Sequence, residues 1–234
     1  MSNSICIASH NGERFIKKQL ESILSQIDPK DEIIISDDSS TDNTLEIIKS
    51  FNDRRITLLE NNKFYDPVFN IENALKHAQG EYIFLADQDD IWMKDKVSIC
   101  IEYLKKYDLV LSDCSIIDEN DNTIEPSFFQ LRHSKPGFIK NFYLNSYIGC
   151  CMAFNRKILN KVLPFPPDIA MHDMWIGLTA ELTGKTYFIK QKLVHYRRHS
   201  ENLSSTSQFS KYSINYRINY RIRLLHRLLQ RVLF

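Results

Sequence analysis

The sequence predicts an α/β fold with a mostly parallel central sheet flanked by helices, and three observations predict it. Short β-branched runs end in polar residues, as strands buried on both faces do. Stretches with apolar residues at helical spacing lie between those runs. The two patterns alternate in strict order through the first half of the chain, the arrangement of a parallel sheet covered by helices.

Taken in order, SICIAS (4–9) and EIIIS (32–36) read as the first two strands. Between them, ERFIKKQLESILSQ puts Phe15, Ile16, Leu20, Ile23 and Leu24 on one helical face. TDNTLEIIKSF reads as a capped helix starting near Thr41, RITLLE as a strand, and FNIENALKHAQG as a helix closed by Gly80. EYIFLAD (81–87) is the fourth strand; KDKVSICIEYLKKY (94–107) and DLVLSD (108–113) add a helix and a strand. After that the rhythm lapses: DENDN (118–122) is a turn, SYIGCCMAFN (146–155) a strand, LPFPP (163–167) a loop and DMWIGLTAELTGK (173–185) a helix. No internal repeat or low-complexity segment is present.

At 234 residues and 43% hydrophobic content the chain can bury a sizeable core, and one domain with an appended tail is expected. The five cysteines have no C-x-x-C spacing and Cys150 and Cys151 are adjacent, which argues against a disulfide framework or zinc site and for reduced, cytoplasmic chemistry. Residues 1–9 lack a charged leader pattern and no window approaches 18 uninterrupted apolar residues, so neither a signal peptide nor a spanning helix is expected. Charge is unevenly spread: residues 190–234 carry a formal +9 and the rest −8. The tail and the body therefore face different partners.

In open α/β sheets, ligands sit outside the carboxyl ends of the strands. Here the first strand ends at Ser9-His10-Asn11-Gly12, the second at Asp37-Asp38-Ser39-Ser40 and the fourth at Asp87-Gln88-Asp89-Asp90. None of the six glycines forms a dinucleotide-binding fingerprint or a P-loop, so bound phosphate would need a metal. The D-x-D of Asp87 and Asp89 suits hard cations such as Mn²⁺ or Mg²⁺, which take carboxylate oxygens and leave room for phosphate oxygens. A cation also relieves the repulsion built into FLADQDDIW. The bland alternative is a solvated turn and helix cap before Trp92.

The series SHNGERFIKKQLESILSQ, DEIIISDDSSTDNT, AQGEYIFLADQDDIW, GCCMAFNRKIL, MHDMWIG and YRRHSENLS resembles the family 2 glycosyltransferases of GT-A fold, a Rossmann-like fold for transfer from nucleotide-diphospho-sugars. The likeness covers about residues 3–204, and these variants look most like hexosyl and rhamnosyl transferases of bacterial surface-polysaccharide assembly. It implies a catalytic domain over 1–204, with a nucleotide-binding half to about 113 and an acceptor-side half from 114, followed by a basic amphipathic C-terminal helix over 205–234.

The resemblance also implies roles. Asp38 matches the carboxylate that reads the nucleotide base; Ser9, His10, Asn11, Glu13, Asp87, Gln88 and Asp89 fall in the donor-binding segments. Asp89 and Asp87 match the metal-binding D-x-D, and His199 lies in a motif that helps close that site in some relatives. Asp173 matches the base of inverting members, with Gly149, His172, Trp175 and Arg198 on the acceptor or donor-sugar side. A Mn²⁺ or Mg²⁺ ion, a UDP- or dTDP-sugar donor and a glycan or lipid-linked acceptor are implied with them. The chain departs from the family at His10, where many relatives have tyrosine, and at Phe69-Asn70-Ile71-Glu72-Asn73, where many have an Arg-Asn pair.

Other readings stand beside these. Asp37 or Asp38 can be a turn residue, Asp173 a helix cap, and Trp175 a core residue. A nucleotidyltransferase usually has a glycine- and basic-rich loop after the first strand, for which SHNGERF is a poor match, while a noncatalytic nucleotide-sugar-binding protein has no need of all three carboxylate sites. Residues 211–234 hold six basic residues and no acidic one, with Ile214, Ile218, Ile222, Leu225 and Leu229 on one stripe. That suits either an interfacial helix, placing the protein peripherally at the inner membrane face, or a helix packed on protein. The acidic body and the lack of a recognised module exclude nucleic acid as partner.

Overall fold

A computed structural model of the chain describes residues 1–199 and 214–233. The strands are β1 (Asn3–Ser9), β2 (Glu32–Asp37), β3 (Ile56–Leu59), β4 (Tyr82–Asp87), β5 (Ile91–Trp92), β6 (Leu109–Ile117), β7 (Thr123–Glu125), β8 (Met152–Asn155) and β9 (Thr186–Arg197). The helices are α1 (Ile16–Leu24), α2 (Thr44–Ser50), α3 (Pro67–His77), α4 (Lys96–Leu104), α5 (Phe128–Arg132), α6 (Phe138–Tyr143), α7 (Arg156–Val162), α8 (His172–Thr183) and α9 (Ile214–Leu233). Among the described residues the strands form one sheet ordered β3-β2-β1-β4-β8-β6-β9-β5, with β7 paired to β6.

The first half is the expected parallel unit: β1 to β4 pair with one another in parallel. Its strands are continuous apolar runs because helices cover both faces; Ile5, Ile7, Ile33, Ile35, Ile83 and Phe84 are fully buried. Register places Ala8 opposite Asp87 and Ser9 opposite Asp37, so the polar strand ends stand side by side.

The second half is mixed. β8 runs antiparallel to both β4 and β6, while β9 lies parallel to β6, so β6 and β9 again point the same way as β1 to β4. The segment expected as one strand over 146–155 is instead a 3-10 turn at Gly149–Cys151 followed by the four residues of β8. Both parts are buried, so their sequence carries no alternation to separate them. Residues 205–213 of the expected tail helix lie outside the described residues; α9 occupies Ile214–Leu233.

Candidate active site

The end of β1 and the loop after β4 are tied together by one amide. Gln88 Oε1 accepts from the His10 N–H and Gln88 Nε2 donates to the His10 carbonyl, both at 2.9 Å. His10 Nδ1 donates to the Asp38 carbonyl at 2.7 Å, and Asn11 Nδ2 donates to His10 Nε2, which fixes the imidazole tautomer. Gly12 passes beneath Gln88, where an added Cβ would strike the amide. Several expected donor contacts are used as scaffold. Ser9 donates its hydroxyl to Asp37, Asn11 Oδ1 accepts from Thr41 N–H, and Glu13 accepts from the backbone and side chain of Asn43.

The two candidates at the end of β2 divide their roles. Asp37 is fully buried and accepts from Ser9 and Ser40, which makes it the turn residue. Asp38 is buried beside it, and its Oδ1 accepts from the Phe64 N–H at 2.7 Å. In α3 the asparagines serve the backbone and a neighbouring strand: Asn70 donates to the Ser9 carbonyl and Asn73 to the Ser36 hydroxyl.

Beyond β4 the chain turns through Gln88 and Asp89 before α4, whose cap position is Asp95, so neither member of the D-x-D serves as that helix's cap. Asp89 Oδ2 lies 2.8 Å from His199 Nε2, and the His199 ring packs on Phe15 with centroids 5.2 Å apart. The expected pair of metal residues, from opposite ends of the sequence, is thus in contact. Desolvation, together with the charges of Asp89 and Asp173, pushes the Asp87 carboxyl up to about 7. Asp87, Asp89 and Asp173 therefore share one electrostatic environment.

Carboxylate and imidazole donors are the right chemistry for Mn²⁺ or Mg²⁺, and the negative charge raising Asp87 is what such an ion would relieve. Asp89 and His199, already in contact, would hold it, with Asp87 near Asp89 but, among the described residues, not in one cluster of ligand atoms with the pair. Asp87, Asp90 and Cys150 also place ligand atoms within 4.8 Å of one another. One of those three donors is a soft sulfur, however, so that inner cluster suits a hard cation poorly.

Asp173 stands in the first turn of α8, after a cap position held by Met171, so it is not the helix cap; its Oδ1 accepts from its neighbour Met174 N–H at 2.6 Å. Burial pushes its carboxyl up to about 7. A carboxylate poised there can take a proton near neutral pH, which an ordinary aspartate does poorly. Beside it, burial drops His172 to about 4, leaving a neutral imidazole. That ring packs on Gly149, where an added Cβ would meet Nε2 at 2.8 Å. Gly149 and His172 are therefore in contact.

Trp175 does not reach the acceptor side. Its side chain is fully buried and Nε1 donates to the Val162 carbonyl at 3.0 Å, so the ring fills the core between α7 and α8. Two residues past Asp173 the helix has turned about 200°, so Trp175 points away from it. Arg198 bonds the Ile117 carbonyl through its N–H and reaches the Tyr196 hydroxyl.

Arg197, its neighbour, was not an expected site residue, yet it ties the site together. It is 1% exposed, and its N–H donates to Asp90 Oδ1, Nε to the Asp89 carbonyl and Nη1 to the Asp118 carbonyl, at 2.7 to 2.8 Å. Nη2 pairs with Asp121 at 2.6 Å, and the guanidinium covers Phe15. Lys96 is a second such residue, fully buried, donating to the Cys150 carbonyl at 2.7 Å with its charge against Trp92. The signal for Lys96 is a long cation just after a carboxylate run, and for Arg197 only the Arg-Arg pair before His199; which of Arg197 and Arg198 turns inward depends on strand parity, unreadable before β9 is known.

Comparison with known proteins agrees with this geometry. The profile of Glycosyl transferase family 2 matches residues 4–163. The chain is 31% identical over 215 residues to the dTDP-rhamnosyl transferase RfbG of Shigella flexneri, covering 84% of this chain and 72% of that protein. It is 38% identical over 183 residues to the UDP-Glc:alpha-D-GlcNAc-diphosphoundecaprenol beta-1,3-glucosyltransferase WfaP of Escherichia coli, covering 76% and 70%. Among solved structures, S. aureus TarS 1-349 in complex with UDP superposes with a TM-score of 0.72 at 20% identity, covering 98% of this chain and 65% of that one. The chain spans about two thirds of the length of the proteins it matches. The fold is GT-A, and the chain belongs to the family 2 glycosyltransferases.

Proposed function

We propose that the chain is the catalytic domain of an inverting glycosyltransferase, moving a hexosyl or rhamnosyl group from a UDP- or dTDP-sugar to a hydroxyl of a glycan or lipid-linked acceptor in surface-polysaccharide assembly. The observations that carry this reading are the contact of Asp89 with His199 just past β4 and the nearness of Asp89 and Asp173 that raises Asp87 at the end of β4. RfbG and WfaP, named for dTDP-rhamnosyl transfer and for transfer to a diphosphoundecaprenol-linked sugar, support the donor and acceptor classes.

In this reading Asp38 and the loop after β1 receive the nucleoside, and Asp89 and His199, with Asp87 near them, would hold a Mn²⁺ or Mg²⁺ ion. When bound, the ion stabilises charge developing on the diphosphate as it leaves. Asp173 accepts the proton of the acceptor hydroxyl while the new C1–O bond forms and the bond from C1 to the phosphate oxygen breaks. One carboxylate suffices for a single displacement with inversion, because a diphosphate can leave without the second carboxyl that protonates the leaving oxygen in glycoside hydrolysis. The neutral His172 beside it is suited to hold a sugar hydroxyl without adding charge.

The test is transfer from labelled UDP-glucose and dTDP-rhamnose to a lipid-diphosphate-linked N-acetylglucosamine, by wild type and Asp173→Asn. Transfer should drop about 10²- to 10⁴-fold while donor binding persists. Equal loss of binding and transfer would remove Asp173 from the base role.

A further inference from the structure

Helix α9 packs on the body by a face other than its broad apolar stripe. Tyr220, Leu224 and Leu228 are buried, and three arginines on the same side fasten the helix. Arg227 pairs with Asp168 at 3.0 Å, Arg231 donates to the carbonyls of Leu163 and Pro164, and Arg221 donates to the Tyr143 carbonyl. The stripe of Ile218, Ile222, Leu225 and Leu229 faces outward, 38 to 62% exposed. A helix whose broader apolar face is left outside while a narrower one is buried has a second surface to cover.

That stripe does not end with the helix. Arg221 lies about a quarter-turn from it by helical geometry, and its guanidinium rests over Phe142 and bonds the end of α6. Ile139, Tyr143 and Leu144 are each at least 65% exposed there. Arg221 also approaches Met174 Sδ at 3.9 Å, and Met174 is the residue after Asp173. One side chain thus links the apolar stripe, the exposed tip of α6 and the helix that bears the proposed base.

We propose that the outer stripe of α9 and the tip of α6 together form a platform that lies on an anionic lipid bilayer, and so bring the Asp173 side of the site to the membrane surface. Residues 211–234 carry a formal +6 without an acidic residue, against a body of net negative charge; Arg221, Arg227 and Arg231 turn theirs to the body, and the remaining three leave the segment net basic. An anionic headgroup layer complements that charge, whereas a second copy docked on the same stripe would bring like charges together. Leucine and isoleucine over a basic helix, beside an exposed tyrosine, are the composition of an interfacial surface. The membrane contact stands apart from the transferase reading; its meaning, that the acceptor is presented from the lipid, rests on that reading.

The experiment is sedimentation of the full chain with vesicles of phosphatidylcholine alone and with roughly one third phosphatidylglycerol. Binding should favour the anionic vesicles, weaken with salt, and fall at least about tenfold in Ile222→Asp/Leu225→Asp and again in Tyr143→Asp/Leu144→Asp. These positions are exposed, so melting temperature and nucleotide binding in the absence of vesicles should stay at wild-type values, which separates failure here from failure of the donor site. No binding to either vesicle, binding indifferent to both double substitutions, or a dimer that Ile222→Asp/Leu225→Asp dissociates would overturn the proposal.

Discussion

Replacing Asp173 with asparagine should make the metal-free protein more stable at pH 8 while it loses transfer. Burial raises the Asp173 carboxyl from 3.8 to about 7, and asparagine keeps the oxygen that accepts from Met174. A shift of that size corresponds to about 4 kcal/mol at 1.36 kcal/mol per unit. The side chain is only partly buried, so solvent screening brings the expected gain to about 1 to 3 kcal/mol. The sign follows from proton binding: between 3.8 and about 7 the folded state holds a proton that the unfolded state has released, so this group's contribution to stability falls as pH rises through that window. The advantage of asparagine should therefore be full at pH 8 and nearly gone by pH 4. Urea melts of both proteins across that range, with chelator present, measure it, and the gain at pH 8 corresponds to several degrees in Tm. A variant less stable than wild type at pH 8, or a difference that does not change with pH, would refute the reasoning that a buried carboxylate is held in strain for use as a base.

Other outcomes follow from the same geometry. The pH profile of kcat/KM should show an acid limb with a midpoint at or below about 7, since the base must be ionised and a bound cation lowers it; a flat profile from pH 5 to 8 would count against Asp173. Gly149→Ala should push the His172 ring aside, lowering kcat at least about tenfold with nucleotide affinity unchanged, as isothermal titration and steady-state rates would show. Arg197→Lys keeps the charge but not the planar fork that meets Asp89, Asp118 and Asp121, and should weaken Mn²⁺-dependent nucleotide binding about 10- to 100-fold, measured well below the melting temperature. A lower Tm with unchanged affinity would reduce Arg197 to a structural role.

The parallel half of the fold was legible because its strands are short apolar runs ending in polar residues, separated by stretches with apolar residues at helical spacing. Strand β9 was not. Lys190, Gln191 and Lys192 interrupt it with exposed polar residues, and its register against β6 shifts around Asp113, so its existence depends on a distant partner. The site followed the same division. Asp87 and Asp89 stand out as like charges after a buried strand, and Asp173 through its motif, but the choice between Asp37 and Asp38 needed the Ser9 and Ser40 hydroxyls that settle on Asp37. Trp175 and Arg197 show the limit from both sides: one large side chain near the base turned into the core, and one cation beside the expected Arg198 turned into the site. In the tail, the most regular apolar stripe is not the one that packs, because arginine stems and aromatic faces fasten α9 by its other side.

The most direct measurement is calorimetric titration of UDP, UDP-glucose and dTDP-rhamnose into wild type and Asp89→Ala, each with Mn²⁺ and with chelator. The account predicts that one nucleotide class binds wild type only when Mn²⁺ is present, and that Asp89→Ala abolishes the binding. Nucleotide binding indifferent to both chelator and substitution, or absent under every condition, would contradict a metal-assisted donor site at Asp87, Asp89 and His199.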